Sequence, residues 1–247
     1  MTDQVGGPGR RFVWLTLPGG LTARAIARAA GLPCLVDMQH GQIGYAEMVD
    51  MITHIAATGQ GAYVRPPLGD FGMSSRALDA GATAIVCPMV NTVEDARRLV
   101  EATKFPPVGT RSWGPGLAAD VLGLDLAVYL KEANGRTAVF AMIETEEALR
   151  NVAAIAAVEG IDGLFVGPYD LSISLLGGAA FDPRHPRVEA ALKTVADAAR
   201  ANGKRAGVYC SNAAEAAARE ALGFTFNAAC SDQAVLKAGA AAMLGGA

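Results

Sequence analysis

Short apolar runs rich in β-branched residues recur along the chain, each followed by a longer Ala-rich stretch with helical spacing. Eight runs read as strands, at 11–17, 34–38, 61–65, 84–90, 138–144, 163–167, 205–210 and 224–229. Helical patterns fall between them, such as EDARRLVEATK at 94–104 and TEEALRNVAAIAAV at 145–158. Regular strand–helix alternation implies parallel strands joined by right-handed crossovers. Eight such units fit a closed TIM (β/α)8 barrel better than an open doubly wound sheet. No linker or low-complexity tract interrupts the pattern, so residues 1–247 are expected to form one domain. The stretch 231–247 is Ala- and Leu-rich with few charges. A helix there needs an apolar partner, either its own barrel or a neighbouring subunit.

Composition agrees with a barrel and removes several function classes. A chain of 247 residues can bury one large core. Hydrophobic residues make up 51% but aromatics only 6%, so Ala and Gly supply the tight helix-on-sheet packing. The net charge of −3 leaves no electrostatic footprint for nucleic acid. No apolar run reaches the roughly 18 residues that a transmembrane helix needs, so no membrane partner is expected. MTDQVGGPGRR at the start lacks the apolar centre of a signal peptide, and the expectation is a cytoplasmic protein. Cys34, Cys87, Cys210 and Cys230 form no C-x-x-C pair and lie in or beside apolar runs, which reads as reduced thiols rather than a zinc site.

In a TIM barrel the chemistry gathers at the C-terminal strand ends. Reading only those ends gives Asp37, Gln39 and His40 in VDMQHG, Arg65 in VRPP, Glu144 in MIET, and Gly167, Pro168, Tyr169 and Asp170 in VGPYDLS. Glu144 and Asp170 close consecutive strands, and adjacent parallel strands lie about 5 Å apart. Two carboxylates so placed share either a proton or a cation, and an all-oxygen site with open positions suits Mg²⁺, Mn²⁺ or a similar ion. Taken singly, each also reads as a cap on the helix or loop that follows. Arg65 offers a planar fork to an anionic oxygen such as an enolate, or makes a surface ion pair. His40 suits proton transfer at neutral pH, or is an ordinary loop histidine. His54 and His185 carry no assigned chemistry.

Two long connections stand out. Residues 105–137 contain PPVGTRSWGPG, which reads as a lid or a phosphate nest, and residues 168–187 contain PYDLSISLLGG. No Walker motif is present, and no G-x-G-x-x-G opens a helix after the first strand. Lysine is missing from the strand ends, which argues against Schiff-base chemistry.

Together these motifs make the chain resemble the HpcH/HpaI family of class II pyruvate aldolases. The likeness rests on VDMQHG, VRPP, LDAGATAIVCPMVNTVEDA, KFPPVGTRSWGP, MIET and VEGIDGLFVGPYDLS, in order, from about Trp14 to the final helix. It implies a phosphoenolpyruvate/pyruvate-type barrel that cleaves or forms 4-hydroxy-2-keto acids, with a small 2-keto acid and an aldehyde as partners. It further implies a divalent cation (Mg²⁺, Mn²⁺ or Co²⁺) on Glu144 and Asp170, and Arg65 at the keto oxygen. His40 belongs to the acid–base machinery, with Asp79 of ALDAGA as its partner, and the backbone around Gly167, Pro168, Tyr169 and Asp170 holds the substrate carboxylate. Family members form hexamers, as trimers of dimers, with the last helix exchanged. Many carry Glu where this chain has Gln39, a residue still able to hydrogen-bond substrate or bound water. The alternatives are a citrate lyase β-chain or malyl-CoA lyase type of acyl-CoA lyase, which needs a basic surface for CoA, and a non-catalytic keto-acid-binding barrel.

Overall fold

A computed structural model of the chain describes residues 10–245. Residues 1–9, most of the opening stretch read for a leader, and residues 246–247 of the final segment lie outside the described residues. The first half of the barrel runs β1 (Arg10–Leu15), α1 (Gly20–Ala30), β2 (Cys34–Asp37), α2 (Tyr45–Ala56), β3 (Ala62–Arg65), α3 (Phe71–Asp79), β4 (Ala84–Cys87) and α4 (Val93–Thr103). Two further helices, α5 (Gly116–Leu122) and α6 (Leu126–Arg136), precede β5 (Ala138–Ile143). Then follow α7 (Glu146–Arg150), α8 (Val152–Ala156), β6 (Gly163–Val166), α9 (Pro168–Leu175), α10 (Pro186–Ala201), β7 (Arg205–Tyr209), α11 (Ala213–Glu220), β8 (Phe226–Ser231) and α12 (Asp232–Leu244).

All eight expected strands form, and they pair in sequence order as a closed barrel with β8 against β1, every pairing parallel. The boundaries shift where polar contacts win over apolar pattern. β1 ends at Leu15 because the N–H groups of Thr16 and Leu17 turn to Asp232. β4 ends at Cys87, short of the expected 90, because the chain turns at Met89, whose φ is +54°. The single helix expected over 145–158 is broken at Asn151 into α7 and α8, where the Asn151 side chain donates to the Asn91 carbonyl.

Two apolar layers hold the fold. Outward-facing strand residues such as Val36, Val64, Ile85 and Val166 pack against the helices. Inward-facing residues alternate with them, because side chains on a strand point to opposite faces in turn. Phe12, Leu35, Tyr63, Phe140, Phe165 and Phe226 thereby fill the barrel lumen. The Phe140 and Phe226 rings stack at 4.1 Å, and Phe12 meets Phe226 at 4.7 Å. So much ring volume in one lumen needs small residues opposite. Gly163 and Gly207 provide them: a Cβ on Gly207 would sit 2.5 Å from the Phe226 carbonyl oxygen and 2.6 Å from Cδ2 of Phe165.

The connection at 105–137 is not a lid. It follows α4 and leads into β5, so it lies at the N-terminal end of the barrel, away from the strand ends that carry chemistry. Its α5 and α6 enclose a satellite core of Phe105, Ala118, Ala119, Tyr129 and Ala133. Buried Lys104 ties this end together, its Nζ donating to the carbonyls of Asn134 and Thr137 and to Asp162. The final helix behaves differently from the rest. Only Asp232 of α12 is buried, while Val235, Leu236, Met243 and Leu244 are exposed. Packing of α12 along its own barrel, one of the two arrangements the sequence allows, is not what the described residues show.

The lumen makes a direct prediction. Gly207→Ala should destabilise the barrel by about 1–3 kcal/mol through overpacking, and Phe226→Ala by about 3–5 kcal/mol through a cavity. Denaturant unfolding checks both. A Gly207→Ala variant as stable as the parent would show that the lumen has room that the geometry denies.

Candidate active site

The alternation that fills the lumen continues to its rim. Two residues beyond Leu35 stands Asp37, beyond Tyr63 Arg65, beyond Met142 Glu144, and beyond Phe165 Gly167. The site is therefore the topmost inward layer of the barrel. Above it lies a cavity of about 330 Å³ lined by Asp37, His40, Arg65, Glu144, Gly167, Tyr169 and Asp170. Trp14, Met142 and Tyr209 form its floor and wall, with Thr16, Ser231 and Gln233 at another side.

Asp37 is not a free rim carboxylate. It is buried and takes both arms of Arg65, Nε at 2.8 Å and Nη2 at 2.7 Å. Trp14 Nε1 adds a third bond at 3.1 Å, and the backbone N–H groups of Gln39 and His40 add two more. Burial pushes the Asp37 carboxyl up, but the Arg65 hydrogen bonds and charge and the Trp14 N–H outweigh it and hold it below the usual carboxylate range. The fork of Arg65 is thus half occupied. Its plane is set by Asp37 and by the Trp14 ring, 4.7 Å beneath, and its remaining N–H groups face the cavity.

Glu144 is buried and does not cap the helix after it. Thr145 does that, accepting from the Ala148 N–H, while Glu144 Oε2 accepts the Met89 N–H at 3.0 Å. Met89 holds a left-handed backbone at this point, a conformation uncommon for a residue with a side chain. On the other side Glu144 Oε1 lies where only a glycine fits, since a Cβ on Gly167 would come within 2.3 Å of it. Burial, with Asp170 and Asp37 adding, pushes the Glu144 carboxyl up to about 7 against the opposing Met89 N–H and Arg65. Asp170 stands in the first turn of α9, whose start places the free N–H groups of Tyr169 and Asp170 at the cavity.

These residues fit a hard divalent cation. Two carboxylates line one cavity, one of them seated between a backbone N–H and a glycine, and a shared cation would relieve their mutual repulsion. Among the described residues no group of three His, Cys, Asp or Glu side chains gathers. Glu144 and Asp170 would be the two side chains to hold such an ion, a small ligand set compatible with Mg²⁺.

Other expected residues fall elsewhere. His40 is exposed at the cavity edge, but the Gln39 and Pro168 side chains do not line it, and Gln39 Oε1 is buried without a hydrogen-bond partner. Asp79 ends α3, a helix that runs back to the N-terminal end of the barrel. There it accepts from Arg111 Nη2 at 2.6 Å, so one chain does not bring it to His40. His54 pairs with Asp50 on α2, and His185 caps α10. Trp14, Thr16, Met89, Tyr209 and Gln233 were not singled out from the sequence. The inward register of Phe12 points on to Trp14 and Thr16, and that of Gly207 to Tyr209, but nothing local marks Met89 or Gln233.

A profile of the HpcH/HpaI aldolase/citrate lyase family matches residues 14–238. The chain belongs to that family. A hydroxypyruvate/pyruvate aldolase of Rhizorhabdus wittichii is 39% identical over 92% of this chain and 89% of its own. A 4-hydroxy-2-oxo-heptane-1,7-dioate aldolase of Salmonella dublin is 36% identical over 94% of this chain and 87% of its own. Among solved structures, an HpcH/HpaI aldolase/citrate lyase family protein of Burkholderia cenocepacia superposes with a TM-score of 0.85, at 32% identity over 96% of this chain and 94% of that one. The chain is an aldolase, a carbon–carbon lyase.

The Asp37 arrangement predicts that Asp37→Asn damages both fold and site. Breaking a buried ion pair from one side should cost about 3–5 kcal/mol, because Arg65 is left charged and unmatched. Denaturation midpoints and keto-acid binding by calorimetry check this, and unchanged values in both would remove Asp37 as the residue that sets Arg65.

Proposed function

We propose that this aldolase reversibly cleaves 4-hydroxy-2-keto acids to pyruvate, or a related 2-keto acid, and an aldehyde, with a divalent cation held by Glu144 and Asp170. The observation that carries this reading is the pair of carboxylates lining one cavity beside a guanidinium whose orientation Asp37 fixes. A cation bound there supplies Lewis acidity toward the keto acid. Arg65 holds the keto oxygen as negative charge grows on it, and the N–H groups at the start of α9 take the carboxylate. His40, at the cavity edge, moves the proton of the 4-hydroxyl group. As that proton leaves, the C3–C4 bond breaks, the electron pair stays on C3 and spreads to the keto oxygen, and the aldehyde departs. His40 then returns that proton to C3 to give the keto acid, so no oxidant or reductant enters. Among the described residues no lysine lines the cavity to form an imine with the substrate. An acyl-CoA substrate finds no support, since Arg65 is the sole lysine or arginine among the lining residues and it is already engaged.

Assembly belongs to the same reading. An apolar face on α12 left uncovered is expected to pack on a neighbouring barrel, in the hexamer, a trimer of dimers, that the resemblance implies; Asp79, remote from His40 within one chain, would then have to reach it from a neighbour in that assembly. The thiols of Cys34, Cys87 and Cys210 are buried and unpaired, in keeping with a cytoplasmic enzyme.

Solvent deuterium entering the pyruvate methyl group, with no aldehyde present, tests the chemistry. Wild-type protein should exchange only with added Mg²⁺, Mn²⁺ or Co²⁺. Glu144→Ala and Asp170→Ala should lose exchange together with Mn²⁺ affinity. Arg65→Ala should slow exchange by at least about 10²-fold with Mn²⁺ still bound, and His40→Ala by about 10²–10⁴-fold. Metal-independent exchange would defeat the proposal.

Subunit mixing tests the shared site. His40→Ala and Asp79→Ala proteins, unfolded and refolded together, should recover cleavage that neither shows alone, and light scattering should report an oligomer. No recovery, or a stable monomer at micromolar concentration, would end the role of Asp79.

A further inference from the structure

The turn between β4 and α4 takes no part in the reaction as described, yet it is anchored on both sides. Met89 in this turn has φ +54° and is the one non-glycine residue with a positive φ among the described residues. A side chain makes that conformation costly, so the surroundings must impose it. The Val90 N–H donates to the Met142 carbonyl on β5 at 3.2 Å. Asn91 Oδ1 accepts the Thr145 hydroxyl at 2.6 Å, and the Asn91 carbonyl accepts Asn151 Nδ2 at 2.8 Å. From α4, Asp95 Oδ2 accepts the N–H groups of Asn91 at 3.2 Å and Thr92 at 2.9 Å. Thr145 directly follows Glu144 in the chain, so the turn is built against the segment that carries this carboxylate.

What the turn delivers is a single backbone donor. Met89 is not among the residues lining the cavity, and its N–H meets Glu144 Oε2 at 3.0 Å. Glu144 Oε1 lies instead over Gly167, where a Cβ would come within 2.3 Å of it. The two oxygens of one carboxylate therefore have different tasks. Oε2 is committed to the Met89 N–H, and Oε1 is left for a ligand. A carboxylate that offers one oxygen suits a small ion with near-ideal octahedral geometry. Ca²⁺ is larger, takes about six to eight oxygens, and often draws both from one carboxylate. A donor fixed on one oxygen opposes that second mode.

We propose that Met89 and Asn91 are positioning residues whose turn holds Glu144 to one-oxygen coordination and so selects a small octahedral cation over Ca²⁺. This inference rests on the reading above that Glu144 and Asp170 hold a divalent cation. Asn91 acts through Met89 by keeping the left-handed turn in place, and Met89 acts through Glu144 by its backbone N–H.

The test reads metal binding rather than turnover. Electron paramagnetic resonance follows Mn²⁺ binding in the presence of pyruvate, with Ca²⁺ added as competitor, and gives the ratio of the two affinities. Wild-type protein should bind Mn²⁺ in preference to Ca²⁺. Met89→Val places a β-branched side chain where φ is positive and should lower the Mn²⁺-to-Ca²⁺ ratio by at least about tenfold. Asn91→Ala should lower it similarly by freeing the turn. Adding Met89→Gly to Asn91→Ala should restore the ratio, because glycine takes the left-handed turn without being forced. A merely structural role for Asn91 predicts no such rescue, and a ratio taken within one variant cancels any loss of folded protein. Unchanged ratios in Met89→Val and Asn91→Ala, absence of rescue by Met89→Gly, or a wild-type preference for Ca²⁺ overturns the inference. If Glu144→Ala still loses Mn²⁺ in that case, the cation reading stands. Mn²⁺ bound equally well by Glu144→Ala and the wild-type protein overturns the cation reading and this inference with it.

Discussion

The Asp37 carboxylate is the point on which the upper barrel depends. It accepts from Trp14 on β1, from both arms of Arg65 on β3, and from the backbone of Gln39 and His40 leaving β2. One buried charge thereby joins three strands and a loop. The desolvation cost of that charge is large, and only a bidentate guanidinium with further N–H donors offsets it. The consequence is geometric. Arg65 cannot swing, Trp14 cannot rotate away from beneath it, and the loop carrying His40 starts from a fixed place. Gly41 tightens that loop further, because a Cβ there would lie 2.1 Å from the Asp37 carbonyl oxygen.

The two ends of the barrel divide the work. At the N-terminal end, buried Lys104 and half-buried Asp162 make an ion pair that closes the bottom together with α5 and α6. At the C-terminal end, Glu144 is held against burial by one backbone N–H, and burial raises its pKa. That carboxyl is an electrostatic debt in the isolated chain. Placing such a group beside Asp170 makes sense where a cation completes the site, and the aromatic lumen below excludes water from beneath it.

Much of this was legible in the sequence. Period-two alternation within short β-branched runs, punctuated by Ala-rich helices, is a local property, so all eight strands and their parallel order could be read directly. Arg65, Glu144 and Asp170 were legible as well, because a polar residue ending an apolar strand of a barrel has only the rim to occupy. The segment at 105–137 was misread as a possible lid. Gly and Pro mark where a chain turns, but not at which end of the barrel the turn lies.

By itself the sequence determined the strand set, the barrel, the family and the carboxylates at the rim. Each of these follows from spacing along the chain or from residue type at a strand end. Only tertiary structure decided that Asp37 is a buried partner of Arg65 rather than a free base, and that Met89 seats Glu144 across 55 positions of sequence. It alone brought Asp232 to Thr16 across 216 positions and sent Asp79 to the far end, against Arg111. Long-range pairings of this kind depend on closure of the barrel, which joins β8 to β1 and sets the height of every strand end. Local patterning carries no record of that height, since a residue's neighbours across the lumen are fixed by register and not by proximity in the chain.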